Sequence, residues 1–587
     1  MNKTVRDFFT PLPFAKRLLG CWFLWCALYK GFSAWFVLPL WLFLAGTALT
    51  CAAAYALQKK AGLSFMDDTV LCAGAMVFAV VLTYRYGGNH PYLFTSAVLL
   101  ALGIALFPVL RRRTPLAEGF SLTRRGAAVW CAVLAVLMFG VIAVITCLRY
   151  TNFMAPNFDF GLFCHMFHNM KETLLPLVTS ERNQLLSHFA VHISPIYYLL
   201  LPFYALFPSP LTLQIGQAAI VASGLILLWG LTRHFRLSAT AASAVLFVYA
   251  AHPALTAGCF YDLHENCFLA PLLLWLFWCY ETGRFRLMLL PILLIWLTKE
   301  DAPVYTAMFG IYLMFSRREW RRGMGMFVAS AAYFAAAVLL LQAFGTGAMF
   351  GRYDGLLSQA SACGSMVHLL LRDPGFFLEQ MVHAADKTAK PLFLLQLLLP
   401  FGLLLWKTRV HSRLLLLAPL LLHLLTDYPY QYNIGFQYTF GTTAFLFYLW
   451  VQNAAELPQG HRRNPLLFGA AAACLLYITA VIPRLESYTV NAVKNHEMYT
   501  SMASMLDTVP DTASVTASSM LVAHLAQRDV IYEDTYRKTP DTDYVVLDMR
   551  MPFRTASEAY EALCAEHGYI TVDYSDEIVI LKKDTSA

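Results

Sequence analysis

Residues 126–148 read GAAVWCAVLAVLMFGVIAVITCL, a stretch that contains no charged side chain. As a helix it is long enough to cross the ~30 Å hydrocarbon core of a bilayer. Similar apolar stretches recur along the 587 residues, 58% of which are hydrophobic and 13% charged, with a mean hydropathy of +0.55. A soluble protein of this length is much less apolar, so the composition predicts a polytopic membrane protein.

We expect an all-α membrane protein with about fourteen transmembrane helices, each near the length that a bilayer requires. Residues 18–28 are interpreted as an uncleaved first span or an interfacial helix, because no small-residue cleavage site follows them. Residues 192–207 contain two prolines and are predicted to be a re-entrant or juxtamembrane helix on the outer side. The expected spans lie at 34–57, 68–83, 92–110, 126–148, 213–232, 238–257, 268–281, 286–298, 302–316, 324–344, 391–406, 413–426, 437–453 and 465–483.

Basic residues are concentrated in the short connectors between apolar stretches. If the spans alternate in direction, the connectors at 111–113, 284–286, 317–322 and 407–413 fall on one side and the acidic motifs on the other. The positive-inside rule then places the basic connectors in the cytoplasm and the acidic loops outside. This distribution accounts for the formal charge of +7 without a nucleic-acid partner. We therefore expect a multi-pass protein of the plasma membrane that contacts the lipid bilayer.

The chain divides into three predicted parts. Residues 1–125 form an N-terminal accessory transmembrane module, 126–484 a membrane core with outer loops at 149–212 and 345–390, and 485–587 a small extracytoplasmic α/β domain. The last part is predicted from strand-like runs at 514–516, 530–532, 544–548, 570–574 and 577–582 and a helix at 555–567. The 13 cysteines include no Cys-x-x-Cys motif and are interpreted mostly as small buried hydrophobic residues.

Asp159 is the first candidate catalytic residue, because it lies in the polar loop that follows the stretch 126–148. Its neighbours are Phe158 and Phe160, and Gly161 would let the backbone approach a ligand closely. Partial desolvation among aromatic rings would raise the basicity of this carboxylate and suit it to act as a general base. Alternatively, Asp159 caps a helix at 161–170, since aspartate is a favoured N-cap residue.

Two histidines form a second candidate group. His188 and His192 are four residues apart, so on an α-helix they would share one face, and with Asp262 or His264 they could hold a divalent metal ion. The alternative is a pair of interfacial histidines that hydrogen-bond to loop backbone. His264-Glu265 is not a metalloprotease signature, because Phe occupies position 268 where a second histidine would be needed.

Further charged and aromatic candidates lie at the ends of later apolar stretches. Lys299, Glu300 and Asp301 lie between two apolar stretches, where placing three charged side chains costs free energy. Lys299 could form an ion pair with Glu300 or Asp301, or contact a phosphate group. Tyr428 belongs either to an aromatic belt at the membrane surface or to a groove that binds a sugar or a lipid. We expect these acidic motifs, with Thr426-Asp427-Tyr428, to meet Asp159 at one membrane face.

Several motifs, in fixed order over roughly 126–587, resemble the DUF2079 family of predicted bacterial and archaeal membrane proteins. In the membrane part they are Asn157-Phe-Asp-Phe-Gly-Leu-Phe, Ser187-His188-Phe, Ser194-Pro195-Ile196-Tyr197, Leu201-Pro202-Phe-Tyr204-Ala-Leu-Phe-Pro208, Gln214, Tyr261-Asp262-Leu-His264-Glu265 and Thr298-Lys299-Glu300-Asp301. In the tail they are Ala513-Ser-Val515-Thr-Ala-Ser518 and Asp543-Tyr-Val-Val-Leu-Asp548. The first ~125 residues lie outside the resemblance and look like an added membrane module.

The layout of that family is similar to that of the GT-C glycosyltransferases, which use polyprenyl-phosphate sugars. The resemblance implies that Asp159 activates the acceptor or binds a metal ion, and that Asp262 and Glu265 complete the acidic site. The resemblance also implies that the phosphate group of the donor binds at Lys299. The candidate metal ligands are Asp159, Asp262, His188 and His192, with Mg²⁺ or Mn²⁺ as the candidate ion. The acidic signatures of oligosaccharyltransferases are not reproduced, so the resemblance settles neither the metal nor the donor.

We therefore expect an inverting GT-C-type glycosyltransferase that moves a sugar from a polyprenyl-phosphate donor to an acceptor on the outer face of the plasma membrane. The candidate substrate-binding residues are His188, His264, Lys299, Glu300, Asp301 and Tyr428. One alternative is a transporter or lipid flippase, in which the acidic residues would form a pathway through the membrane interior. Another is a non-catalytic membrane protein for assembly of the cell envelope.

Overall fold

The computed structural model describes most of the chain as helices of very different lengths. The described residues are 7–32, 39–61, 66–86, 122–346, 350–362, 365–366, 369, 374–386, 388–536, 541–550 and 553–584. The expected span at 92–110 and the basic connector at 111–113 lie outside the described residues. The α-helices before residue 507 are Pro11–Gly31, Leu40–Ala61, Met66–Tyr86, Arg124–Thr151, Leu162–Thr173, Leu201–Leu206, Pro210–His234, Ala239–Ala250, Pro253–Ala257, Leu269–Glu281, Leu289–Trp296, Pro303–Phe315, Trp320–Phe344, Asp354–Ala362, Pro374–Val382, Ala389–Leu398, Leu421–Leu424, Phe440–Glu456, Gln459–Ala480, Ile482–Lys494 and His496–Leu506.

Six of the described helices are long and apolar enough to cross a membrane, which confirms a multi-pass membrane protein. They span Leu40–Lys60, Arg124–Thr151, Pro210–His234, Ala239–Ala257, Trp320–Phe344 and Asn464–Lys494, and the fourth and the sixth each join two consecutive helices of the list above. Several of the other expected spans within the described residues are shorter helices or are interrupted. Proline accounts for part of this, because it removes a backbone donor and clashes with the preceding turn. Pro419, for example, lies inside the 3-10 segment His411–Leu420. The number of about fourteen spans stays a prediction.

Short 3-10 helices and two short strands complete the membrane part. The strands Leu177–Val178 and Leu186–Ser187 pair antiparallel. Within the segment 192–207, the 3-10 helix Pro195–Leu199 and the six-residue helix Leu201–Leu206 are each far too short to cross a bilayer. The 3-10 helices are His188–Ala190, Pro195–Leu199, Glu265–Phe268, Phe350–Tyr353, Leu399–Leu405, His411–Leu420, Pro429–Tyr432 and Gln437–Thr439, with Asp534–Tyr536 in the C-terminal domain.

Ion pairs mark the two ends of the helix bundle. The helix Leu269–Glu281 begins beside Glu265, which pairs with Lys299. At its other end, ~20 Å away for thirteen residues in α-helix, Glu281 contacts Arg317 and His234. The chain therefore runs back and forth, with the acidic motifs at one end and Arg317 at the other, as the alternating spans predict.

The C-terminal domain contains a five-stranded mixed sheet. Val515–Ala517 pairs in parallel with Ile531–Glu533 and with Tyr544–Asp548, and Ile578–Lys583 pairs antiparallel with Tyr544–Asp548 and with Tyr569–Tyr574. The helices are Ser519–Leu525 and Phe553–Glu566. All five strands lie within one residue of their predicted positions, and the small α/β domain is confirmed.

The C-terminal domain packs directly on the membrane part. Phe153, which follows the helix Arg124–Thr151, is buried in the hydrophobic core that Val515, Ile531 and Val546 form in the domain. The ring of Phe153 stacks on His524 with centroids 3.8 Å apart. This contact places the domain next to the loop that contains Asp159.

The N-terminal helices form their own bundle. Pro11–Gly31 packs along Met66–Tyr86, and a Cβ atom at Gly20 would lie 2.5 Å from the Val70 carbonyl oxygen, so the two backbones touch. Arg17 Nε lies 2.6 Å from Asp67 Oδ1, and both side chains are buried. The boundaries of the three predicted parts stay a prediction.

Candidate active site at the Asp159 loop

The loop Asn157–Gly161 forms a single wide turn that holds Asp159 in an unusual backbone conformation. The φ and ψ angles of Asp159 are +74° and −68°, a region that costs of order 1–3 kcal/mol for a residue with a side chain. The following helix, Leu162–Thr173, has Gly161 as its N-cap and no side-chain cap. The interpretation of Asp159 as a helix cap is therefore wrong, because its carboxylate points to a different partner.

That partner is His264. Asp159 Oδ2 lies 3.2 Å from His264 Nε2, as an ion pair rather than a well-aligned hydrogen bond. His264 Nδ1 lies 3.4 Å from the Asp262 carbonyl oxygen, so both ring nitrogens face oxygen atoms and the imidazole is suited to carry a proton on each. The Asp159 side chain is 40% exposed and that of His264 4%. The pair thus presents an accessible carboxylate backed by a buried cation.

Electrostatics keep this pair charged. Burial by itself raises the pKa of Asp159, but the adjacent His264 outweighs it and the pKa is lowered. Burial lowers the pKa of His264, but Asp159 outweighs it and the pKa is raised. The expectation that desolvation makes Asp159 more basic is therefore wrong, because it overlooked the histidine. Asp159 is instead ionised throughout the neutral range.

Glu265 and Lys299 form a second, fully buried ion pair beside the first. Lys299 Nζ lies 2.7 Å from Glu265 Oε1, and the side chains are 5% and 2% exposed. The Tyr197 hydroxyl donates to Glu265 Oε2 over 2.6 Å. Burial raises the pKa of Glu265, but Lys299 together with His264 and His192 outweighs it and the pKa is lowered. The interpretation of Lys299 as a partner of Glu300 or Asp301 is wrong, since successive residues of a tight turn point in different directions.

Asp262 is not exposed to the site. Its carboxylate accepts hydrogen bonds from Arg149 Nε at 2.9 Å and from Gln214 Nε2 at 2.7 Å, and its side chain is 1% exposed. Its backbone φ of +72° resembles that of Asp159. Asp262 therefore anchors the turn that presents His264, and the structure does not bring its carboxylate to Asp159.

The candidate metal ligands do not converge. His188 lies in a 3-10 turn and its Nδ1 is 3.2 Å from Glu181 Oε2, while His192 Nδ1 is 2.8 Å from Glu300 Oε1. The imidazole centroids are 6.0 Å apart at 62°, so the two rings do not share a helix face as expected. Within the described part of the chain, no three His, Cys, Asp or Glu side chains form a group that could hold a metal ion. The four candidate ligands therefore do not form one group, and a metal ion stays a prediction.

Arg352, which the sequence interpretation did not select, adds a cation to this end of the bundle. Its guanidinium carbon lies 4.7 Å from the ring centre of Tyr428 and 5.0 Å from that of Tyr438, distances typical of cation–π contacts. Asp301 is exposed and within electrostatic reach of both Lys299 and Arg352. Arg352 and Arg149 carried no sequence signal, because their partners lie far away along the chain.

The C-terminal domain contacts the Asp159 loop directly. Asn157 Nδ2 donates to Glu533 Oε2 at 2.8 Å, and Asn157 N–H donates to Ser519 Oγ at 3.2 Å. A Cβ atom at Gly161 would lie 3.1 Å from Val522 Cγ1. Gly161 therefore permits a close approach of the helix Ser519–Leu525, and the expectation that it faces a ligand is wrong.

Comparison with other proteins supplies the family. A family model described as a predicted membrane protein, DUF2079, matches residues 149–580. No curated protein matches the sequence. Among solved structures, ArnT from Cupriavidus metallidurans bound to undecaprenyl phosphate is 13% identical, with 79% of this chain and 99% of that chain covered and a TM-score of 0.49. The apo state of ArnT is 12% identical, with 78% and 99% covered and a TM-score of 0.48. Since the family model matches well over half of the chain, the protein belongs to the DUF2079 family.

Proposed function

We propose that this chain is a membrane glycosyltransferase that moves a sugar from a polyprenyl-phosphate donor to a hydroxyl acceptor at the outer face of the plasma membrane. The observation that carries the proposal is the partly exposed Asp159 carboxylate, held against buried His264 and beside the buried pair of Glu265 and Lys299. Isolated buried charges are costly, so a cluster of them next to an accessible carboxylate is a candidate for catalysis.

Asp159 is the proposed acceptor base. In the reaction an acceptor oxygen attacks the anomeric carbon, the bond from that carbon to the phosphate oxygen breaks, and the phosphate leaves with the electron pair. The acceptor proton moves to Asp159 Oδ, which must be ionised beforehand. The lowered pKa secures ionisation, although it makes the carboxylate a weaker base. Positioned general bases contribute roughly 10²–10⁴-fold to rate.

Arg352 is the proposed source of positive charge for the leaving phosphate, because Lys299 is buried and already paired with Glu265. Burial lowers the pKa of Lys299, but Glu265, Glu300 and Asp301 together outweigh it and the pKa is raised, so the ammonium stays charged and balances Glu265. Arg352 is held by the faces of Tyr428 and Tyr438. Fixed cations that face developing negative charge lower a barrier without reorganising during the reaction. In this proposal the lipid phosphate lies at Arg352, while the sugar lies near Asp159.

The test is a transfer assay on the purified full chain. Undecaprenyl-phosphate sugars with radiolabelled hexoses or pentoses are supplied, and release of undecaprenyl phosphate and labelled product is followed. Asp159→Asn is expected to lose about 10²–10⁴-fold in rate, whereas Asp511→Asn, at an exposed position of the C-terminal domain, keeps the wild-type rate. Wild-type protein that consumes no member of the panel, or an Asp159→Asn variant of unchanged rate, would contradict the proposal.

A further inference from the structure

A cavity lies behind the Asp159 loop, where the membrane core meets the C-terminal domain. It has a volume of about 600 Å³, within the ~300–1,000 Å³ of typical small-molecule sites. Its walls come from the end of the helix Arg124–Thr151, from Tyr261, from the turn between Ile482–Lys494 and His496–Leu506, and from the domain. None of the steps of the proposed reaction uses this cavity.

Three carboxamides supply its hydrogen-bonding groups. Asn152 Nδ2 donates to the Tyr488 carbonyl oxygen at 2.8 Å, which leaves its side-chain oxygen as an acceptor. Asn491 and Asn495 are four residues apart and both line the cavity. Within the described residues neither of these two side chains makes a hydrogen bond. Each amide offers donors and an acceptor together, which is the pattern that matches hydroxyl groups.

Two arginine side chains line the cavity, and each is paired with a carboxylate. Arg149 Nε is 2.9 Å from Asp262 Oδ2, and Arg550 Nη2 is 2.6 Å from Asp548 Oδ2. Both guanidinium groups are therefore neutralised by a carboxylate at hydrogen-bonding distance. An anionic ligand would have to compete with these carboxylates, whereas a neutral polar ligand would not.

Aromatic rings complete the walls. Tyr261 and Tyr499 line the cavity, and the Tyr499 ring stacks on Phe153 with centroids 6.1 Å apart. The faces of such rings carry partial negative charge and pack against weakly positive C–H groups, which a sugar ring presents on its faces. Tyr261 also connects this cavity to the site, because its ring lies 6.1 Å from that of His264.

We propose that this cavity binds a neutral, hydroxyl-rich saccharide. Resting on the proposed function, this saccharide is the acceptor, with its free hydroxyl directed past Tyr261 towards Asp159. The carboxamides and rings recognise the sugar, and the two paired arginines exclude acidic ligands. The C-terminal domain is then part of the binding site rather than a separate module, because Asp548 and Arg550 belong to it.

Binding is measured by equilibrium dialysis of the full chain in a detergent without a sugar headgroup. The probes are labelled neutral trisaccharides of glucose, galactose, mannose, rhamnose and N-acetylglucosamine, with inorganic phosphate as the anionic probe. At least one trisaccharide is expected to bind. Asn491→Leu combined with Asn495→Leu is expected to weaken it about tenfold or more, equivalent to ~1.4 kcal/mol. Thr500→Leu, at an exposed position further along, is the matched control.

Each outcome is decisive. Binding of no trisaccharide, a preference for inorganic phosphate, or equal weakening by Thr500→Leu would overturn the saccharide site. Because the preference for neutral over anionic probes is measured on wild-type protein, the test does not depend on the variants folding. Saccharide binding without any sugar transfer would contradict the proposed function alone. Transfer with an unchanged acceptor KM in the double variant would contradict this cavity alone.

Discussion

Removing the charge of Lys299 should destabilise the protein severely, because it leaves Glu265 buried without a counter-ion. The two charged atoms are 2.7 Å apart, and the side chains are 5% and 2% exposed. Breaking a buried pair on one side costs about 3–5 kcal/mol. We expect Lys299→Met to lower the free energy of unfolding by that amount, less whatever Glu265 recovers by taking up a proton.

Removing both charges should cost much less. In Glu265→Gln the amide oxygen can still accept the hydrogen bond that Tyr197 OH now donates to the carboxylate. Lys299→Met together with Glu265→Gln should therefore be more stable than the sum of the single changes predicts, by roughly 2–3 kcal/mol, the upper range for groups in direct contact. The two residues come from distant motifs, so this coupling reports their tertiary contact.

The assay is reversible unfolding in mixed micelles of lipid-like detergent and SDS, followed by tryptophan fluorescence. Lys407→Met, which removes an exposed lysine at the other end of the bundle, should change stability by no more than ~0.5 kcal/mol. Additivity of the Lys299 and Glu265 changes within about 0.5 kcal/mol would refute the buried pair.

Three further changes test the site. Because the pKa of His264 is raised, its contribution to stability is complete below about pH 6.5 and is lost as the pH rises through the raised value. The difference in unfolding free energy between wild type and His264→Gln should therefore shrink from pH 6 to pH 9. A difference that stays constant over this range would count against the ion pair. Gly161→Ala should slow sugar transfer several-fold by pushing the C-terminal domain away, since the new Cβ atom would lie 3.1 Å from Val522. Gly140→Ala should leave the rate unchanged, because a Cβ atom at Gly140 would have no neighbouring atom within 4 Å. Arg352→Gln should raise the donor KM about tenfold, because it removes the positive charge. Arg352→Lys keeps the charge and should raise the KM less. Equal effects of the two changes would show that packing on the tyrosines matters and not the charge.

Much of the architecture follows from local pattern. The five strands of the C-terminal domain were predicted within one residue, because each is a short run of β-branched and aromatic residues bounded by turns. The alternation of spans was also predictable, since the apolar stretches are separated by charged connectors. The lengths of the spans were less predictable, because prolines such as Pro419 divide apolar stretches into short helical segments.

The site was predictable only at the level of which motifs meet. The sequence brings Asp159 and the motif of His264 and Glu265 to one end of the bundle, and the structure places them in contact. The individual partners did not follow, because a contact between residues 159 and 264 is set by tertiary packing. The same reason applies to the lowered pKa of Asp159, which depends on that histidine and not on neighbours in sequence.

We propose that the Asp159 loop faces outside and belongs to the site where a polyprenyl-phosphate donor binds. The most direct measurement is labelling of Asp159→Cys, in a chain without its 13 native cysteines, by a membrane-impermeant thiol reagent added to whole cells. Trp320→Cys, at the opposite end of the bundle, is the control. We expect position 159 to be labelled without permeabilisation and position 320 not to be labelled. We also expect undecaprenyl phosphate added to the purified chain to protect position 159. Labelling of position 159 only after permeabilisation, or an unchanged labelling rate in the presence of undecaprenyl phosphate, would contradict it.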